Sequence, residues 1–230
     1  NAYFYNQSCK MTNQQEFDRL DYDIFRRDFK KHSLSKSDVN EDPLEQFKLW
    51  FDAFAKSGML QPNAMTLSTA SKTGDVLSRT ILLKHIDGSD FIFVSNYDSQ
   101  KGKHLDENPK ASLLFFCMEL ERQIIVTGSV KKTSKEESSK YFHSRPYKSQ
   151  LAAYSSEQSK VVDSREFLEN QYRNNEEQFS EESITCPSNW GGYRFSPESF
   201  EFWQGRANRL HDRIRYRKHN GNWAIERLAP

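Results

Sequence analysis

The densest concentration of reactive side chains lies in Phe200-Glu201-Phe202-Trp203-Gln204-Gly205-Arg206-Ala207-Asn208-Arg209-Leu210-His211-Asp212-Arg213. If residues 209–213 are extended, period-two alternation sends Arg209, His211 and Arg213 to one face and Leu210 and Asp212 to the other. Two guanidiniums and an imidazole so placed repel one another unless an anion or an electron-rich ligand sits among them. A solvated charged strand, partly neutralised by Asp212, has the same pattern.

Two further segments could hold an anion. Arg79-Thr80-Ile81-Leu82-Leu83-Lys84 carries a cation at each end of an apolar run. Strict alternation puts Arg79 and Lys84 on opposite faces, so they share a site only if a bulge intervenes or the strand ends near Lys84; otherwise this is an ordinary core strand. Tyr141, Arg145 and Ser149 recur every four residues around Pro146. Near a helix end they could converge two hydroxyls and a guanidinium on a phosphate, and a capped helix terminus with an exposed arginine would be spaced identically. No GxGxxG, GxxxxGK[ST] or GxSxG occurs, and no His/Cys/Asp group has metal spacing. Nucleotide hydrolysis, serine hydrolysis and zinc chemistry thus lack their usual supports, and no metal is expected. Anion capture beside aromatic rings remains.

The elements that must position these residues read as follows. Residues 1–41 have little periodicity and a basic cluster, Arg26, Arg27, Lys30 and Lys31, which predicts a mobile arm, with 33–40 as a hinge. Asp42-Pro43 starts an amphipathic helix carrying Leu44, Phe47, Phe51 and Phe54 and ending at Gly58. Residues 64–70, 76–84 and 91–95 read as an antiparallel meander punctuated by Thr73-Gly74-Asp75 and Asp87-Gly88. Residues 111–118 and 122–130 add two strands, with a short helix possible over 99–108. Residues 134–143 read as a helix interrupted at Pro146, and Asp163 with Glu166 as a capping-box start of a helix to about Phe179. Four tail strands follow, at 192–195, 200–204, 212–217 and 223–227. Strands without long intervening helices favour a barrel or sandwich, in one α+β domain over 42–230.

The 33 Lys and Arg nearly balance 32 Asp and Glu, which removes the electrostatic reason to expect nucleic acid or a membrane surface as partner. Cys9, Cys117 and Cys186 are widely spaced and include no CxxC, so a reducing compartment is expected, cytoplasmic by default with an organelle left open. No apolar run approaches the roughly 20 residues that span a bilayer. Met11 is a candidate natural start.

Glu201-Phe202-Trp203-Gln204 followed by Arg209-Leu210-His211-Asp212-Arg213 resembles the signature of pyridoxine (pyridoxamine) 5′-phosphate oxidases. The resemblance continues through Arg79 to Lys84, Leu120-Glu121-Arg122-Gln123, Tyr141 to Gln150, Gln158-Ser159, Trp190-Gly191-Gly192 and Glu226-Arg227-Leu228-Ala229-Pro230, and covers residues 42–230. It implies an FMN-binding split β-barrel with flanking helices, working as a homodimer with each flavin between subunits. By matching positions, FMN would be held by Arg79, Thr80, Ile81, Leu82, Leu83, Lys84, Val94, Ser95, Gln100, Lys101, Gln123, Gln158, Ser159, Trp203 and Arg213. The substrate phosphate would fall to Lys84, Tyr141, Arg145 and Ser149. Arg209, Leu210 and His211 would face the pyridine ring, Arg209 steering it and His211 accepting or relaying a proton at C4′. The implied reaction oxidises a phosphorylated B6 vitamer to pyridoxal 5′-phosphate, with O2 as acceptor and H2O2 as product. Relatives close a tyrosine over the substrate where this chain has Phe29, which makes a lid role for Arg26 to Phe29 doubtful. The rivals are a split-barrel flavoprotein with another substrate and a non-catalytic carrier of flavin or pyridoxal phosphate.

Overall fold

The computed structural model describes residues 28–230; Arg26 and Arg27 of the basic cluster lie outside them. α1 (Pro43–Lys56) begins where expected, because the Asp42 side chain accepts the Leu44 N–H at 2.8 Å and Pro43 occupies the first turn. Its inner face is Phe47, Trp50 and Phe54. Burying each such aromatic stabilises the fold by roughly 1.5–3 kcal/mol.

The strands are β1 (Ala64–Ala70), β2 (Val76–Leu82), β3 (His85–Asp87), β4 (Asp90–Asn96), β5 (Lys110–Cys117), β6 (Arg122–Lys132), β7 (Trp190–Gln204), β8 (Asp212–His219) and β9 (Asn222–Leu228). They form one antiparallel sheet in the order β2-β1-β5-β6-β7-β4-β3, with β8 pairing β7 and β9. β7 organises it. Along one edge it pairs with β6 from Tyr193 to Gln204. Along the other it pairs first with β4, through Trp190 to Phe195, and then with β8, through Ser199 to Gln204. The sheet therefore splits at β7, and Phe91, Phe115, Phe195, Phe200 and Phe202 fill its interior against α1.

Two tail strands were expected where β7 runs unbroken. Pro197 lies in the gap between the β4 and β8 pairings and opposite Gly128, beside a register shift at Thr127/Gly128, so its missing N–H breaks no regular ladder. The expected strand over 76–84 stops at Leu82, and β3 was not foreseen.

The helices are α2 (Gln100–Glu107), α3 (Lys135–His143), α4 (Tyr147–Ser155) and α5 (Arg165–Gln178). Ser134 and Glu137 form a reciprocal capping box on α3. α5 is capped by Ser164, one residue beyond the expected Asp163, through its bond from the Phe167 N–H. Phe142, Leu151, Ile184 and Trp190 make a second apolar cluster beside the sheet.

Residues 28–41 are docked on the barrel, in contrast to the expected arm and hinge. Leu34 is buried in the core, and its N–H donates to Asp212 Oδ2 at 3.0 Å. The N–H groups of Lys30 and Lys31 both reach Glu121 Oε2, and Tyr216 donates to Asn40 O.

Candidate active site

A cavity of about 690 Å³ opens between β2, the end of β4, α2 and α4. Arg79, Thr80, Ile81, Leu82, Lys84, Val94, Ser95, Gln100, Lys101, Gln158 and Ser159 line it, with Arg145. Arg79 and Lys84 share it because β2 ends before Lys84, whose N–H turns to Ile92 O at 2.8 Å. Leu83 does not line it; the same end of β2 turns its side chain into the core at 5% exposure.

The cavity's cations are fixed by neutral groups. Lys101 Nζ donates to Gln158 Oε1 (2.7 Å), Ser95 Oγ (3.0 Å) and Ser99 Oγ (3.2 Å). Arg79 donates to Leu67 O at 3.1 Å and to Thr69 Oγ1 at 2.8 Å, and Thr69 meets His104 Nδ1 behind it. The Arg145 guanidinium lies 4.6 Å over the Trp190 ring, and its buried Nη1 has no hydrogen-bond partner among the described residues. No described carboxylate lies within ion-pair distance of Arg79, Lys84, Lys101 or Arg145. Burial consequently lowers the pKa of Arg79 and Arg145, and that of Lys101 to about 8, with Arg79 adding repulsion at Lys101. α2 starts at the cavity, capped by Ser99, and its first-turn residues Gln100 and Lys101 are in the lining. Buried or half-buried cations without counter-charges and an orphaned guanidinium nitrogen fit a phosphorylated ligand.

Tyr141 lines an adjoining apolar cavity of about 350 Å³, and Ser149 sits in the first turn of α4. The four-residue spacing is thus divided between two helices by Pro146, and only Arg145 of the three enters the large cavity. Trp190, the floor under Arg145, and Thr69 and His104, the support of Arg79, were missed as site residues. Only their tertiary contacts distinguish them.

The remaining predicted residues gather elsewhere. Gln123, Trp203 and Arg213 stand in register, forming one row across β6, β7 and β8. Trp203 lies thirteen steps along β7 from Trp190, a contour of about 43 Å at roughly 3.3 Å per residue. The two groups of predicted residues therefore stand at opposite ends of β7.

The tail strand expected over 212–217 starts at Asp212 as β8, but the extended backbone supposed from Arg209 does not hold. Ala207–Arg209 is a 3-10 turn in which Asn208 (φ 56°) and Arg209 (φ 60°) are left-handed. The turn removes Arg209 from the alternation, so it shares no strand face with His211 and Arg213. Leu210 is exposed at the turn's tip. His211 still packs on Trp203, ring centroids 4.7 Å apart, and Phe29 meets both rings edge-on at 5.7 Å and 5.9 Å. Arg213 is gripped by Glu201 through two bonds of 2.8 Å and 3.0 Å and donates to Ala229 O at 2.8 Å. Desolvation, then Arg209, lowers the His211 pKa, against Asp212.

A profile of the pyridoxamine 5′-phosphate oxidase family matches residues 51–176, and one of the pyridoxine 5′-phosphate oxidase C-terminal dimerisation region matches residues 190–230. The pyridoxine/pyridoxamine 5′-phosphate oxidase of Rippkaea orientalis is 47% identical over 92% of this chain and 100% of its own. That of Salinibacter ruber is 46% identical over 89% and 97%. PhzG from Burkholderia lata 383, solved in complex with tetrahydrophenazine-1-carboxylic acid, has a TM-score of 0.79 at 28% identity, covering 86% of this chain and 98% of that one. A pyridoxamine 5′-phosphate oxidase-related, FMN binding protein from Nostoc punctiforme shares the fold at a TM-score of 0.67 and 13% identity, over 84% and 100%. With a split-barrel sheet, a dimerisation region and relatives matched almost end to end, the chain belongs to the pyridoxamine 5′-phosphate oxidase family.

Proposed function

We propose that this chain is an FMN-dependent oxidase that converts pyridoxamine 5′-phosphate and pyridoxine 5′-phosphate to pyridoxal 5′-phosphate, with O2 as electron acceptor and H2O2 as product. One observation carries the reading: a cavity whose cations, Arg79, Lys84, Lys101 and Arg145, have no described carboxylate partner. Two phosphorylated ligands, cofactor and substrate, supply the missing negative charge.

Arg79, Lys101, Ser95, Gln100, Gln158 and Ser159 would hold the FMN phosphate and its tail, with Thr80, Ile81, Leu82 and Val94 along the ring. When bound, FMN supplies the two-electron redox chemistry. Lys84 and Arg145 would bind the substrate phosphate, joined by Tyr141 of the adjoining cavity and, by the resemblance, Ser149 of the first turn of α4. Anchoring that dianion fixes the substrate's orientation.

The second half-site completes the first from the partner subunit. The contour of β7 separates the halves within one chain, and the matched dimerisation region is the stretch that carries Trp203, Arg209, His211 and Arg213. In this reading Gln123, Trp203 and Arg213 close over the flavin, and Arg209, Leu210 and His211 over the pyridine ring. Cys117 and Cys186, both free, fit a reducing compartment such as the cytoplasm. No described helix is long and apolar enough to cross a membrane.

The likeness to PhzG favours a second reading, an oxidase of the same family acting on another ring system. Peroxide release from the FMN-loaded protein separates them. Pyridoxine 5′-phosphate should be turned over and unphosphorylated pyridoxine should not; equal rates, or no peroxide from either, would sink the proposal.

A further inference from the structure

The ring of His211 is held at one nitrogen. The backbone N–H of Arg206 donates to His211 Nδ1 at 3.1 Å. An amide nitrogen only donates, so Nδ1 must present its lone pair, and the proton of the neutral imidazole resides on Nε2. The backbone delivering that bond is itself fixed. Gly205 N–H donates to Glu121 O at 2.8 Å, Arg206 Nη1 to His32 O at 2.9 Å, and Leu210 N–H to Ala207 O at 3.2 Å. Trp203 and Phe29 confine the ring from two sides. The Asp212 carboxylate, which could otherwise draw a proton to the ring, instead accepts from the Leu34 N–H and Arg227.

We propose that His211 is a fixed hydrogen-bond donor, locked as the Nε2–H tautomer by the Arg206 amide, and that it holds an acceptor atom of the substrate instead of removing a proton from it. The proposal rests on the reading above that His211 faces the substrate ring. To act as a base through Nε2, the ring would have to move its proton to Nδ1, where it would confront the Arg206 N–H donor to donor. The Arg206 amide is thus a positioning group. The role differs from the proton acceptance or relay expected from the sequence.

Two measurements test this. Long-range 1H–15N correlation spectra of histidine-labelled protein, with the His211 signals identified by their loss in His211→Gln, should give an unprotonated Nδ1 and a protonated Nε2 near neutral pH. A protonated Nδ1, or averaged tautomers, overturns the lock whatever the enzyme does. At saturating substrate, His211→Gln, which retains an N–H donor, should keep turnover within about tenfold, and His211→Leu should lose on the order of a hundredfold. His211→Glu supplies a base without a donor and should resemble Leu; turnover equal to or above that of Gln overturns the donor role. A locked tautomer with all three variants as fast as the parent would preserve the lock and remove His211 from the reaction, so a failed site assignment is distinguishable from a failed tautomer.

Discussion

The two ends of β7 manage charge in opposite ways. At the Trp190 end, Arg79, Lys101 and Arg145 are desolvated and held by hydroxyls, carbonyls and an indole face. At the Trp203 end most of the cations around the row are paired: Arg213 with Glu201, Arg227 with Asp212, and Arg206 3.5 Å from Asp212, while Arg209 has no ion pair among the described residues. A surface that must seize a dianion has to leave its cations uncompensated, at a cost to the unliganded fold. A surface that must present rings in one orientation does better when its charges are neutralised internally and its backbone is pinned.

The largest expected effect tests whether the two ends serve one site across two chains. Arg145→Leu and His211→Leu homodimers should each fall about a hundredfold or more in turnover. Dimers formed by randomly mixing the two variants should recover about a quarter of parental activity, because half of them are mixed and each mixed dimer contains one whole site. Mixing without recovery would mean that the two ends never meet.

Next in size is a divergence in stability. Lys101 has a pKa lowered from 10.5 to about 8, so its burial as a cation costs on the order of 1–3 kcal/mol. Lys101→Met should therefore raise the melting temperature of the flavin-free protein while weakening FMN binding roughly 10- to 100-fold. Glu201→Gln, at the other end, leaves Arg213 without its carboxylate and should lower the melting temperature, by about 1–3 kcal/mol of stability. Shifts of the same sign, read by calorimetry on both apoproteins, would erase the distinction between the ends.

A smaller effect concerns affinity against pH. The Lys101 ammonium is progressively lost as pH rises through about 8, so apoprotein affinity for FMN should decline above that pH. The decline should be absent in Lys101→Met, as titrations by flavin fluorescence quenching would reveal.

How much of this was legible in the sequence differs between the same two ends. Around the cavity, local signals sufficed: Thr73-Gly74 set the β1–β2 hairpin, Ser99 capped α2 and placed Lys101 in its first turn, and the expected strand over 64–70 matches β1 residue for residue. The long-range partners stayed hidden, because Thr69, His104 and Trp190 carry no chemical pattern until the sheet brings them beneath Arg79 and Arg145. At the far end, the alternation supposed from Arg209 to Arg213 fails at Arg209, which like Asn208 before it has a left-handed backbone that no alternation rule anticipates. It nevertheless kept His211 and Arg213 on the Trp203 face. Local pattern gives no sign of the row Gln123–Trp203–Arg213, since register between strands 80 residues apart is a tertiary property; only the family resemblance grouped the three.

The smallest effect lies on the acid side of the Trp203 end. The His211 pKa is depressed below its ordinary 6.5, first by desolvation and then by Arg209, with Asp212 opposing. An unfolded chain then takes up this proton before the folded one does, so His211 contributes stability that is fully present above pH 6.5 and is lost as pH falls toward its lower folded value. Protonation would also place a hydrogen on Nδ1 facing the Arg206 N–H, breaking the bond that closes the turn. Denaturant unfolding of the parent should accordingly lose stability between pH 7 and 5 more steeply than that of His211→Gln, which cannot titrate there. The other histidines and Asp212 are common to both proteins, so the difference between the two slopes isolates this ring; parallel slopes would mean that the imidazole charges freely and that the turn is not held through Nδ1.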